Sequence, residues 1–264
     1  METRLFYLVL LLWFVALPVM AQEDSLYESK VLVRDSDSLF YRIMYPENMD
    51  KTKSYPLVVF LHGAGERGDD NNAQLVHGGK VFADPLNRKH FPAIVIFPQC
   101  SKEDYWSNAT VDRSETGVKL KFNSNVAPSK ALRMVLDLLD QTLKESYIDK
   151  SRVYIAGLSM GGMGTFEMLW RRPDVFAAAI AICGGGDPEM VEQYAQHTDM
   201  WVIHGAMDDV VDPVYSLTMV EALLKAGAHP KFTLYDTANH NSWDPAFAEP
   251  DFLPWMFSKQ LNDN

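Results

Sequence analysis

Residues 153–164 read VYIAGLSMGGMG. An apolar stretch, Val153 to Ala156, runs into Gly157-Leu158-Ser159-Met160-Gly161, and a helix-like stretch from Gly161 to Arg171 follows. This is a G-x-S-x-G motif in the strand–turn–helix setting that the motif requires. The serine sits on a sharp turn, where neighbours without side chains relieve crowding and let a substrate approach. The helix start aims N–H groups at any negative charge that develops there. The bare motif also arises by chance, as a glycine-rich turn carrying an idle serine, so its surroundings have to decide.

Outward from the motif, the chain is punctuated by continuous apolar runs. These are Tyr55 to Leu61, Ala93 to Phe97, Ala177 to Ile182 and Trp201 to Ile203, with Lys231 to Tyr235 weaker. Unbroken rather than alternating runs predict strands buried on both faces, as in a parallel sheet. Helical stretches lie between them: Leu132, Val135, Leu136, Leu139 and Leu143 fall on one face, and Ser216 to Lys225 is helix-like. The alternation predicts a right-handed α/β wound sheet. Before it, Lys30 to Arg34 and Leu39 to Tyr45, separated by Asp35 to Ser38, read as an antiparallel hairpin. Ser101 to Ala127 has no period and is expected to be a functional loop.

With 264 residues, 47% apolar and 22% charged, the chain can build a full core, which excludes a mainly disordered protein. A formal charge of −11 lacks the footprint of a nucleic-acid binder. Two cysteines exclude a disulfide scaffold. Cys100 and Cys183 each follow a predicted strand; an exported protein could bond them, but strand ends far apart in a sheet cannot be bridged, and two free buried thiols are the expectation. Residues 1–21 combine Arg4, an apolar run from Leu5 to Leu17, and small residues at Val19 and Ala21. This is a signal-peptide pattern, too short for a span of about 20 residues. The expectation is a cleaved leader over 1–21, a catalytic domain over 22–264, export to the periplasm or medium, and no stable membrane anchor afterwards.

A serine nucleophile needs a base, and the base an orienter. The chain order for this architecture is serine, acid, histidine. Only His229 and His240 lie far enough downstream; His229 reads as a surface turn, and His240 occupies a polar loop after the last strand. Three carboxylates follow the strand before Gly205. Asp208 is the first choice as orienter and Asp209 the second, while Asp212, before Pro213, reads as a helix cap. The oxyanion hole is expected from the N–H of Met160 and one N–H of the loop His62 to Gly68, with Ala64 ahead of Gly63. Gly63, Trp106 and Trp243 are candidate substrate contacts, and Gly184 to Gly186 is a candidate cleft edge. There is no H-E-x-x-H and no cysteine-pair spacing, so the sequence gives no support for metal catalysis, and Gly184 to Gly186 is not a phosphate loop because no G-K-[ST] follows.

Taken together, FLHGAGERGDDN (60–71), FPQC (97–100), the stretch 153–187, HGAMDDVV (204–211) and ANHNSWDPAF (238–247) resemble the single-domain α/β-hydrolase esterases of the feruloyl and acetylxylan esterase type. These are close to hydrolases similar to the prolyl oligopeptidase catalytic domain. The resemblance implies a sheet of about eight strands with the site at the C-terminal strand ends. It also implies a triad of Ser159, Asp208 and His240, no cofactor, and a small-molecule or oligosaccharide ester as substrate. The rival readings are a peptidase or promiscuous small-ester hydrolase of the same fold, and a non-catalytic glycan-binding protein on a hydrolase scaffold.

Overall fold

The computed structural model describes residues 26–112 and 119–261; the expected leader over 1–21 lies outside them. The strands are β1 (Glu28–Arg34), β2 (Asp37–Met44), β3 (Tyr55–Leu61), β4 (Ile94–Gln99), β5 (Ala109–Asp112), β6 (Lys119–Phe122), β7 (Ile148–Leu158), β8 (Ala178–Ile182), β9 (Asp199–Gly205) and β10 (Lys231–Tyr235). The helices are α1 (Gly79–Ala83), α2 (Pro85–His90), α3 (Lys130–Thr142), α4 (Met160–Arg171), α5 (Val214–Lys225), α6 (Trp243–Ala248) and α7 (Phe252–Phe257). Eight strands form one sheet in the order β1-β2-β4-β3-β7-β8-β9-β10. The β1–β2 and β2–β4 pairs are antiparallel and the rest are parallel. This is the α/β-hydrolase sheet, entered through an N-terminal hairpin whose two-residue turn places Asp35 at φ 53°.

The unbroken apolar runs have a direct structural cause. In β3, Leu57, Val59 and Leu61 face one core, shared with Leu132, Val135 and Leu139 of α3 and Phe166 of α4. Val58 and Phe60 face the other, shared with Phe82 of α1 and Phe252 and Met256 of α7. A strand with a helix layer on each side must be apolar at every position. The helix edges follow local rules: Ser129 caps α3 through its hydroxyl, which accepts from the Leu132 N–H at 3.1 Å. At the other end of the sheet, α5 closes on Gly227 at φ 81°, where the Ala228 N–H donates to the Leu223 carbonyl at 2.9 Å. The partly exposed turn Gly227 to Pro230 then leads into β10.

The segment 101–127, expected to lack regular structure, carries the separate hairpin β5–β6. Tyr215 of α5 accepts from the Leu120 N–H at 2.7 Å, and Glu167 of α4 accepts from the Asn108 N–H at 2.7 Å, which holds the segment against both helices. No helix among the described residues is long and apolar enough to cross a membrane.

Candidate active site

Strand β7 ends at Leu158, and α4 begins at Met160. Ser159 alone makes the turn, at φ 52° and ψ −116°, a strained conformation for any residue with a side chain. The turn is held from the neighbouring strand by the Ser159 N–H donating to the Ile182 carbonyl at 2.8 Å. The motif's glycines make the close approach possible. A Cβ on Gly157 would lie 2.3 Å from the Gly161 carbonyl oxygen, and one on Gly161 would lie 1.9 Å from that of Leu61. No side chain fits at either position.

Two further loops meet this turn. His240, between β10 and α6, places Nε2 3.0 Å from Ser159 Oγ and Nδ1 2.7 Å from Asp208 Oδ2. Asp208 follows β9, and its side chain has no exposed surface. The Val210 and Val211 N–H groups donate to Oδ1, both at 2.9 Å. His204 Nε2 lies 3.1 Å from Oδ2, and this ring is completely buried. Burial alone would raise the Asp208 pKa. The hydrogen bonds from His204, His240 and the Val211 N–H outweigh it, so the carboxyl is held well below its usual range. The acid and histidine loops are tied together by Asn239, whose Oδ1 accepts from the His240 N–H at 2.6 Å and the Asp209 N–H at 3.1 Å. Asp209 is exposed, while Asp212 accepts from the Val214 N–H at 2.9 Å at the start of α5.

Ser159 and His240 open onto a cavity of about 220 Å³, whose walls also include Gly63, Ala64, Tyr105, Met163 and Trp243. Trp243 stands edge-on to His240, with ring centroids 5.4 Å apart. Ala64 opens the 3₁₀ turn Ala64–Glu66 after β3. Beneath that loop lies His62, fully buried. Its Nε2 accepts from the Cys100 N–H at 3.0 Å, so its proton is on Nδ1, which donates to the Gly63 carbonyl at 2.6 Å. Burial pushes the His62 pKa down to about 4, so this ring is neutral at pH 7.

Two expectations from the sequence are corrected. Trp106 does not line the cavity: it is completely buried, and its Nε1 donates to the His62 carbonyl at 3.0 Å. Its indole therefore supports the Gly63–Ala64 loop from below, where its N–H finds a partner. Gly184 to Gly186 are buried packing positions rather than a cleft edge; a Cβ on Gly184 would lie 2.7 Å from the Gly162 backbone. Cys100 and Cys183 are unbonded and buried, and burial pushes both thiols up. Among the described residues, Cys183, Asp208 and His240 bring potential ligand atoms within 4.8 Å of one another. Asp208 and His240 are already bonded to each other, which leaves no open donor set for an ion.

The sequence reading also missed parts of the site. Glu66 and His77 join the cavity wall with Glu66 Oε1 3.7 Å from His77 Nε2, and nothing in their spacing announces the meeting. His204 had a visible signal: a histidine ending an apolar strand, four residues before the acid. As chemistry, the line of hydroxyl, imidazole and buried carboxylate can take a proton from Ser159 Oγ and hand it on.

Comparison with known proteins identifies the family. A bifunctional acetylxylan esterase/xylanase of Neocallimastix patriciarum is 32% identical over 170 residues, covering 64% of this chain and 21% of that protein. Dipeptidyl-peptidase 5 of Porphyromonas gingivalis is 25% identical over 170 residues, covering 63% and 22%. The crystal structure of a thermostable esterase superposes with a TM-score of 0.80 at 34% identity, covering 90% of this chain and 64% of that one. The chain thus spans less than two thirds of the length of each of these relatives. Residues 48–249 match the family described as Phospholipase/Carboxylesterase, and the chain belongs to that family of the α/β-hydrolase fold.

Proposed function

We propose that the chain is an exported serine carboxylesterase acting on acyl esters of plant-type carbohydrates, with feruloyl or acetyl as the acyl group. The observation that carries this reading is the continuous path from Ser159 Oγ to His240 Nε2 at 3.0 Å and from His240 Nδ1 to Asp208 Oδ2 at 2.7 Å. Ser159 Oγ attacks the ester carbonyl as His240 Nε2 takes its proton. The Met160 and Ala64 N–H groups bind the oxyanion, each such donor contributing about 3–4 kcal/mol at the transition state. His240 then protonates the departing alcohol, leaving an acyl-Ser159 ester. A water, deprotonated by His240, attacks that ester, and the proton returns to Ser159 as the acid leaves. Asp208 stays ionised and stabilises the imidazolium formed in each half. Gly63 and Trp243 border the acyl group. Likeness to an acetylxylan esterase supports the substrate class, and the leader pattern over 1–21 supports export.

The test is kcat/KM for methyl ferulate, 4-nitrophenyl acetate and a dipeptidyl anilide, with wild type beside Ser159→Ala. Turnover of ferulate or acetate, lost in the variant, is the expected result, and a preference for ferulate assigns an aromatic acyl pocket. Cleavage of the anilide alone moves the assignment to a peptidase, a reading that the likeness to dipeptidyl-peptidase 5 favours. No turnover of any of them, with Ser159 unlabelled by a fluorophosphonate, moves it to a binding protein.

A further inference from the structure

Strand β9 reads Met200, Trp201, Val202, Ile203 and then, still fully buried, His204. A buried imidazole among apolar strand residues is costly unless both nitrogens are bonded. Here both are. Nε2 lies 3.1 Å from Asp208 Oδ2 and 3.0 Å from the Val211 carbonyl oxygen. Neither partner has a proton to give, so Nε2 carries one and shares it between them. Nδ1 lies 2.7 Å from Ser216 Oγ, which is itself 2.8 Å from the Gly184 carbonyl oxygen. The ring is thereby pinned between α5 and the end of β8. The donor falls on Oδ2, the same carboxylate oxygen that receives His240 Nδ1 at 2.7 Å. Oδ1 is separately held by the two backbone N–H groups of Val210 and Val211.

We propose that His204, anchored by Ser216, is a positioning residue for the acid: it fixes Oδ2 toward His240 and sets how strongly that oxygen attracts the imidazole proton. The proposal rests on the esterase reading of Ser159, His240 and Asp208. With two donors on one oxygen, Oδ2 cannot swing away when His240 gains and loses its proton, and its charge is spread over both rings. Without His204 the oxygen is loosely held and carries more of its charge toward His240, so the protonated imidazole is favoured. Among the described residues, other titratable groups stand near Asp208 and His240, including the exposed Asp209. The Cys183 ligand atom is within 4.8 Å of both. His77 also packs against Trp243, with ring centroids 5.1 Å apart, and Glu66 Oε1 lies 3.7 Å from its Nε2. All of these are left unchanged by the substitutions below.

The experiment measures kcat, KM and the acidic limb of the kcat/KM profile on 4-nitrophenyl acetate for His204→Asn, His204→Gln and Ser216→Ala, with melting temperatures alongside. An Asn amide superposes its nitrogen on Nδ1 and leaves Oδ2 without its donor; a Gln amide places its nitrogen at Nε2. Losing one hydrogen bond to a charged group predicts a kcat lower by about 10- to 100-fold in His204→Asn. KM should change little, and the acidic limb should move to higher pH. His204→Gln should recover most of kcat and bring the limb back, and Ser216→Ala should shift the limb the same way by less. The inference is overturned if the limb of His204→Asn stays at the wild-type pH, or if Asn and Gln lose activity equally, which would be a packing effect. If His204→Asn does not fold, Ser216→Ala decides on the same criterion. Ser159→Ala runs as the control: activity surviving there sinks the esterase reading itself, independently of what His204 does.

Discussion

Ser159 is asked to hold a conformation that only glycine adopts without strain. At φ 52° its Cβ crowds the backbone, at a cost of about 1–3 kcal/mol. The surrounding contacts impose this: the N–H is bound to Ile182 and the helix that follows is locked against β3 by Gly161. Ser159→Gly removes the strain, offset in part by glycine's greater freedom in the unfolded chain. It should therefore raise the unfolding free energy by about 1 kcal/mol in a urea titration while abolishing turnover, and Ser159→Ala should abolish turnover without that gain. A gain in both variants would place the cost in the hydroxyl and not in the backbone.

Helix α4 approaches the sheet more closely than any side chain allows. The Gly161 Cα passes so near Leu61 that an added methyl would sit 1.9 Å from a backbone oxygen. Backbone cannot yield as a side-chain tip can, so Gly161→Ala should cost at least about 3 kcal/mol in the same titration, at the upper end of overpacking penalties. How far each element was legible in the sequence follows from how it is packed. The limits of β3 are legible because apolar residues begin and end with it, and those of β10 coincide with the weaker run Lys231 to Tyr235 that follows Pro230. β7 starts at Ile148, which pairs with Tyr55, rather than at Val153; the register shifts between these points, and Asp149, Lys150, Ser151 and Arg152 in between carry no apolar pattern. The β5–β6 hairpin went unread because its strands are four residues each and half-exposed. The burial of Trp106 is not legible in the sequence, because a tryptophan in an unpatterned loop gives no sign of its depth. The residues now proposed as the triad were legible through local turn chemistry and chain order. Glu66 and His77 were not, because only the folded loops bring them together.

At the scale of the whole molecule, acid should act on stability through His62. Its folded-state pKa of about 4 lies below the 6.5 of an unhindered histidine, chiefly because the ring is buried. Below pH 6.5 the unfolded chain takes up a proton that the folded chain refuses. The stability this group contributes is thus intact above 6.5 and is lost as the pH falls toward 4. The gap amounts to about 3 kcal/mol. Asp208 adds little to this window, because a depressed carboxyl begins to lose its contribution only below the ordinary carboxylate range, about pH 4. Urea titrations at pH 7 and pH 4.5 should show the decline, and His62→Gln, which has no proton to take up, should flatten it. An equally steep decline in that variant would assign the acid sensitivity elsewhere.

The turn from Gly227 to Pro230 divides the proposed machinery unevenly along the chain. Everything before it carries Ser159 and Asp208, and everything after it carries His240 together with β10, α6 and α7. The later piece is stitched back by long-range bonds, among them Leu261 N–H to the Ser151 carbonyl at 2.9 Å and Tyr154 hydroxyl to the Lys259 carbonyl at 2.8 Å. Cut at that turn, the protein becomes two silent halves, neither holding a complete proton path. Fused to two proteins that meet, the halves would report the meeting by hydrolysing an ester.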